Sequence, residues 1–140
     1  MFKPTTKFLI VDDFGTMRKI VKKALTDLGY ANAVEAVDGA EAYKFIVEHA
    51  QQGAPFEFII SDWNMPNMLG IDLLKKCRGE EPFKTLPFML VTAESEQAQI
   101  LEAVKAGVTD YVVKPFSPAM LKAKLESAYK KISSSSGKAA

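Results

Sequence analysis

The chain has 140 residues, 48% of them hydrophobic, and a formal net charge of +1, which fits one domain with a real core and excludes a basic field for nucleic acid. Its one cysteine, Cys77, rules out an internal disulfide and suits a reducing compartment. The N-terminal residues lack the long apolar stretch of a signal peptide, and no apolar run approaches the ~20 residues of a membrane span, so a cytoplasmic protein without a membrane partner is expected.

Lys7 to Val11 is short and continuously apolar after its first residue, as a buried strand is. Asp12-Asp13-Phe14-Gly15 reads as a loop and Thr16 as an N-cap. Met17, Ile20, Val21, Ala24, Leu25 and Leu28 then recur at helical spacing, with Arg18, Lys19, Lys22 and Lys23 on the outer side and Gly29 as the stop. Residues 33–36 form a weak strand. Asp38 with Glu41 three residues on resembles a capping box for a second helix, whose inner face is Ala42, Phe45, Ile46 and His49. A turn over 51–55 leads to the central strand, Phe56 to Ser61, which delivers Asp62 at its end.

Gly70 to Arg78 reads as a third helix, broken by Glu80-Glu81-Pro82. Pro87 to Val91 is a fourth strand, Ser95 to Ala106 a fourth helix stopped by Gly107, and Asp110 to Val113 a fifth strand. Ser117-Pro118 sets an N-cap with proline at the first helical position, and Leu121, Leu125, Ala128 and Ile132 line the last helix. Residues 133–140, small and polar, read as a disordered tail, so the expected division is a domain over 1–132 and a tail over 133–140. Strand and helix alternate throughout, which implies a doubly wound α/β domain with a parallel sheet and helices on both faces.

In such a sheet, ligands sit outside the carboxyl ends of the strands. Four strand ends here carry polar groups: Asp12 and Asp13, Asp62, Thr92, and Lys114. Adjacent carboxylates repel, and a hard divalent cation such as Mg²⁺ relieves the repulsion with oxygen ligands. Asp13 and Asp62 would ligate directly, the Asn64 main-chain carbonyl would add a third oxygen, and Asp12 would act through water. Taken alone, Asp12-Asp13 serves equally well as a cap for the first helix. Asp62 has a nucleophilic reading as well, because carboxylates form acyl phosphates in phosphoryl transfer. Lys114 would then supply positive charge and Thr92 a hydroxyl bond to a phosphoryl oxygen.

Asp12-Asp13, Ser61-Asp62-Trp63-Asn64-Met65-Pro66, Val91-Thr92-Ala93-Glu94 and Tyr111-Val112-Val113-Lys114-Pro115-Phe116 together resemble a response-regulator receiver domain, most closely the chemotaxis regulators of the CheY type, over roughly Lys7 to Ile132. The resemblance implies a flavodoxin-like (βα)5 domain with sheet order 2-1-3-4-5. It implies that Asp62 accepts phosphate from a histidine kinase (CheA-like), with Mg²⁺ at Asp12, Asp13, Asp62 and the Asn64 carbonyl, and with Lys114 contacting the phosphate. Thr92 and Tyr111 would be the switch pair, Asn64 and Glu94 would tune autodephosphorylation, and the Lys114-Pro115 bond would be cis. The face formed by helix four, strand five and helix five, with Tyr111, Lys122 and Lys124, would bind a flagellar motor switch protein (FliM-like). A phosphatase is a further implied partner, and the protein is expected to be a monomer and a regulator rather than an enzyme.

Three features depart from the family pattern. Ser95-Glu96-Gln97 stands where lysines often follow Thr-Ala-Glu, Leu69 precedes Gly70 where a polar residue is common, and the 51–55 connection is slightly long. His49 and Cys77 are read as structural, and Trp63 as a fluorescent reporter beside Asp62. The rival readings are a phosphate sink or relay shuttle, an Mg²⁺-dependent phosphohydrolase and a flavin carrier. The phosphohydrolase would want an Asp at Asn64, and the flavin carrier would want no acids in the first loop.

Overall fold

The computed structural model describes residues 2–93 and 97–139, with the backbone alone for 134–139. Five parallel strands, β1 (Phe8–Val11), β2 (Ala33–Ala36), β3 (Phe58–Asp62), β4 (Phe88–Ala93) and β5 (Asp110–Lys114), lie in the order β2-β1-β3-β4-β5. Five helices connect or follow them: α1 (Gly15–Asp27), α2 (Gly39–Gln51), α3 (Gly70–Gly79), α4 (Gln97–Lys105) and α5 (Pro118–Ala139). Glu81–Phe83, overlapping the Glu80-Glu81-Pro82 segment expected to break α3, forms a short 3-10 turn.

Period-two alternation sends successive strand residues to opposite faces. Phe8, Ile10, Phe58, Ile60, Met89, Val91 and Val112 pack against Val21, Leu25, Leu121 and Leu125, so α1 and α5 cover that face. Leu9, Val11, Ile59, Phe88 and Leu90 pack on the other face with Ile46, Leu74 and Ala103 of α2, α3 and α4. The three central strands are buried on both faces, which is why they read as unbroken apolar runs rather than as alternation. Each fully buried Leu, Ile or Phe contributes ~1.5–3 kcal/mol, so the sheet is a stiff platform for its loops.

Helix ends follow local chemistry. Gly29, at φ +97°, closes α1: its N–H bonds the Thr26 carbonyl at 2.9 Å and the Tyr30 N–H bonds Leu25 at 2.8 Å, the paired bonds that a left-handed residue after a helix permits. Asp38 caps α2 by accepting from the Glu41 N–H at 2.8 Å, while the Glu41 carboxylate reaches back to the Val37 N–H at 3.0 Å. Ser117 accepts from the Met120 N–H at 3.2 Å, with Pro118 opening α5.

Three expected details differ. Thr16 lies inside α1 rather than capping it, because Phe14 holds the N-cap position and its N–H is taken by Asp12 Oδ1 at 2.9 Å. Ile20 is exposed, since α1 meets the sheet along Val21, Ala24 and Leu25. Residues 133–139, expected as part of a disordered tail, instead continue the α5 helix to Ala139, and among the side chains described Ile132 is the last packed against the core.

At the N-cap of α3 stands Leu69, 39% exposed and with no side-chain cap bond. Leu69→Asp is therefore expected to stabilise the fold by ~1 kcal/mol in urea denaturation at neutral pH. A loss of stability would show that the added charge repels the acids at the end of β3 more than the cap helps.

Candidate functional site

The strand ends converge at the carboxyl edge of the sheet. Register fixes this: Val11 of β1 lies beside Ser61 of β3, Asp62 beside Val91 of β4, and Thr92 beside Val113 of β5. One step beyond β1 comes Asp12, so Asp12, Asp62, Thr92 and Lys114 close on one space. Carboxylate oxygens of Asp12, Asp13 and Asp62 all lie within 4.8 Å of one another. Lys114 Nζ is 3.1 Å from Asp62 Oδ1 and 3.8 Å from Asp12 Oδ2. Its peptide bond to Pro115 is cis, as the resemblance implied.

The loops are built to hold this geometry. Asp62 Oδ1 also accepts the Trp63 N–H at 2.9 Å. The Gly70 N–H returns to the Trp63 carbonyl at 2.9 Å, and a Cβ on Gly70 would collide with the Asp62 carbonyl oxygen. Glycine here lets the N-terminus of α3 lie against the strand end. Asn67, at φ +68°, donates from Nδ2 to Asp38 Oδ2 at 2.6 Å, tying the loop after β3 to the start of α2. The Asp38 carboxyl is held below its usual range, chiefly by the Glu41 N–H and then by Asn67.

Asp12 and Asp62 are almost fully buried, whereas Asp13 is exposed. Burial pushes the Asp62 carboxyl up; Lys114 and the Trp63 N–H pull the other way. Burial likewise raises Asp12, with the Phe14 N–H opposing and Asp62 adding repulsion. In both, burial is the largest cause, so the charged carboxylates are held at a cost that a bound cation would offset. The Thr92 hydroxyl, in a residue 1% exposed, has no hydrogen-bond partner among the described residues. A buried hydroxyl left unpaired costs ~1–3 kcal/mol, and a phosphoryl oxygen would satisfy it. An all-oxygen, acidic donor set fits a hard divalent cation such as Mg²⁺.

A pH dependence follows from the two raised carboxyls. Folded values above the ordinary ~3.9 of aspartate mean that the folded state holds protons more tightly than the unfolded one. The cost of charging the cluster is absent below the ordinary value and complete above the raised ones. Without divalent cation, the contribution of these groups to stability therefore falls as pH rises through that window. Millimolar Mg²⁺ is expected to raise the thermal midpoint at neutral pH, by the equivalent of ~2.7 kcal/mol at one hundred times its dissociation constant, and to have no effect at acid pH. A midpoint insensitive to Mg²⁺ at neutral pH would contradict the cation reading.

The other expected residues fall as follows. Asn64 is exposed on the loop after β3. Glu94 lies outside the described residues, as do Ser95 and Glu96, so the expected start of α4 at Ser95 does too. Tyr111 is half-buried, with Lys124 Nζ 4.5 Å from its ring centroid. Lys124 also sits 3.6 Å from Asp110, while Lys122 is exposed. The charge of Lys124 is thus shared with a carboxylate that is only 3% exposed, a partner the sequence reading did not anticipate. Trp63 is 4% exposed and packs in the core, touching the site through its N–H. His49 Nδ1 lies 2.6 Å from Lys7 Nζ, and its ring stacks on Phe56. Cys77 is fully buried, its thiol pushed up to about 11 by burial, so it is a poor nucleophile.

Residues 8–126 match the response regulator receiver domain. The chain belongs to that family. The receiver domain here is 49% identical over 126 residues to the chemotaxis protein CheY-3 of Vibrio cholerae, covering 90% of this chain and 93% of that one. It is 48% identical to the chemotaxis protein CheY of Pseudomonas aeruginosa, covering 90% and 98%. Among solved structures, the chemotaxis response regulator CheY4 of Vibrio cholerae superposes with a TM-score of 0.76 at 35% identity, covering 89% of this chain and 98% of that one. Among the described residues, no helix of this receiver domain is long and apolar enough to cross a membrane.

Proposed function

We propose that this receiver domain is a phosphorylation switch of chemotaxis, in which Asp62 takes a phosphoryl group from a histidine kinase of the CheA kind and the face formed by α4, β5 and α5 then binds a flagellar motor switch protein of the FliM kind. The carrying observation is the convergence of a buried carboxylate at 3.1 Å from Lys114 with an unpaired buried hydroxyl at Thr92. The likeness to curated chemotaxis proteins supports the same reading.

An Asp62 carboxylate oxygen forms the new bond to phosphorus. The bond from phosphorus to the donor's imidazole nitrogen breaks, and its electron pair stays on that nitrogen. Asp13, Asp62 and the Asn64 carbonyl would hold Mg²⁺, with Asp12 acting through water; the ion supplies screening of phosphoryl charge. Lys114 exchanges its contact with Asp62 for one with a phosphoryl oxygen. Hydrolysis reverses the gain: water attacks phosphorus, the bond to Asp62 breaks and orthophosphate leaves. By the family resemblance, Asn64 and Glu94 would tune the lifetime of the phosphate, and a phosphatase would shorten it. The protein works as a monomeric, cytoplasmic regulator rather than a multiple-turnover enzyme.

The new phosphoryl group carries about −1.5 to −2 charges. Thr92 turns its unpaired hydroxyl to an acceptor oxygen and vacates space toward Tyr111. Driving a two-state element from 1:99 to 99:1 takes ~5.5 kcal/mol, within reach of a few charge-assisted bonds of ~1.5–3 kcal/mol each. On the proposed output face, Leu101 and Val104 of α4 are each 57% exposed and Tyr111 of β5 is half-buried. Exposed apolar side chains on α4 suit a partner segment with apolar anchors.

Thr92→Ala tests the division of labour. It is expected to take up phosphate from acetyl phosphate at nearly the wild-type level, because Thr92 forms no bond that breaks. Its affinity for a peptide from the flagellar switch protein is expected not to rise on phosphorylation. Equal affinities of the wild-type and variant phosphoforms, measured by calorimetry, would overturn the role of Thr92 as the switch.

A further inference from the structure

Arg18 sits on the first turns of α1, yet its side chain is only 18% exposed. Its Nη1 donates to the Asp12 main-chain carbonyl at 2.7 Å, and its Nε donates to Glu35 Oε1 at 3.1 Å. Glu35 lies on β2, in register with Ile10 of β1, and Lys22 Nζ stands 3.6 Å from its other oxygen. The guanidinium thus clamps the end of β1 to the middle of β2.

Asp12 is fixed at three of its four polar atoms. Its N–H bonds the Ala36 carbonyl at 3.2 Å, its carbonyl takes Arg18, and its Oδ1 takes the Phe14 N–H at 2.9 Å. Its remaining oxygen, Oδ2, is the one turned toward Lys114. Asp13 is the opposite case. It is exposed, and among the described residues its side chain takes part in no hydrogen bond or ion pair. Its direction comes from the backbone alone, through the peptide unit whose oxygen Arg18 holds.

Resting on the reading of the acidic pocket as a divalent-cation site, we infer that Arg18, oriented by Glu35, is a positioning residue: it sets the Asp12-Asp13 peptide so that the Asp13 carboxylate meets those of Asp12 and Asp62. Glu35 balances the charge of Arg18, so the clamp aligns the ligands without presenting an uncompensated cation to the metal.

Position and charge predict opposite signs, which makes the inference testable. Deleting a cation near an acidic site would by charge alone tighten Mg²⁺ binding. Deleting a residue that orients a ligand weakens it, typically by 10- to 100-fold. The experiment is titration of the full chain with MgCl₂ alone, read by Trp63 fluorescence and by calorimetry, with urea midpoints measured in parallel. Arg18→Ala is expected to bind Mg²⁺ ~10-fold more weakly, and Arg18→Lys, which still reaches the carbonyl, to recover part of the loss. Glu35→Gln is expected to weaken binding in the wild-type background and to add nothing to Arg18→Ala, since it acts through Arg18. Should Arg18→Ala not fold, Arg18→Gln takes its place in the same cycle.

Equal or tighter binding by Arg18→Ala, with the wild type binding normally, overturns the inference. So does an equal effect of Glu35→Gln in both backgrounds, because Glu35 would then act by its own charge. A wild type that binds no Mg²⁺ overturns the cation reading itself.

Discussion

Asp62→Asn is expected to abolish phosphoryl uptake from acetyl phosphate in the presence of Mg²⁺, below one hundredth of the wild-type amount, on the order of the loss of an essential reacting group. The amide is nearly isosteric and keeps an oxygen for the Trp63 N–H, which now bonds Asp62 Oδ1 at 2.9 Å. It cannot supply the anionic oxygen that bonds to phosphorus. The same change removes a charge that burial disfavours, so the Mg²⁺-free variant should keep or raise its urea midpoint despite losing the Lys114 contact. Loss of uptake with a preserved midpoint separates chemistry from folding. Undiminished labelling of the variant would remove Asp62 from the role of acceptor.

Gly70→Ala is expected to damage fold and chemistry together. The new methyl would meet the Asp62 carbonyl oxygen and lie 3.0 Å from Leu90 Cδ2. Backbone cannot give way as a flexible side-chain end can, so either α3 lifts or the end of β3 shifts. Overpacking of this kind costs ~3 kcal/mol or more where backbone must move. Because the shifted residue is the acceptor, phosphoryl uptake should slow by ~100-fold even in folded protein, the usual effect of a 1 Å misplacement. Gly79→Ala is the control: a Cβ there meets nothing within 4 Å, and the change should be neutral or stabilising by up to ~1 kcal/mol. Urea denaturation and a phosphorylation time course on both variants decide the matter. A Gly70→Ala protein as stable and as fast as the Gly79→Ala protein would show that the approach of α3 to Asp62 is unimportant.

The parts of this molecule that were legible from sequence are those governed by one local rule. Phe8 to Val11 and Phe58 to Ile60 declare buried parallel strands because both faces are covered. Ser117-Pro118, Asp38 with Glu41, and Gly29 declare helix ends because each satisfies orphan backbone groups within a few residues. The acidic pocket was legible because each polar group follows an apolar run directly, and parallel strands bring such positions to one edge. What stayed hidden depends on reach and on competition. Helical periodicity placed Arg18 outside, but its long side chain reaches back to the Asp12 carbonyl. Thr16 has the right chemistry for a cap and lost the place because the Asp12 carboxylate took the Phe14 N–H first. Lys124 reads from sequence as a residue of the partner face alone, since nothing in its own helix announces Asp110, a buried acid on β5. Asparagine after Met65-Pro66 is a common choice for a turn with positive φ, but that its side chain reaches Asp38 depends on the fold.

The measurement that tests the central claim most directly is the affinity of the full chain for an N-terminal peptide of the flagellar switch protein. Trp63 fluorescence with Mg²⁺, with and without beryllofluoride as the phosphoryl mimic, reports it. The switch described here predicts a fluorescence change on adding beryllofluoride and a tighter peptide complex only when it is present, with both responses lost in Asp62→Asn. Peptide binding of equal strength with and without beryllofluoride would contradict a phosphorylation switch acting on the motor.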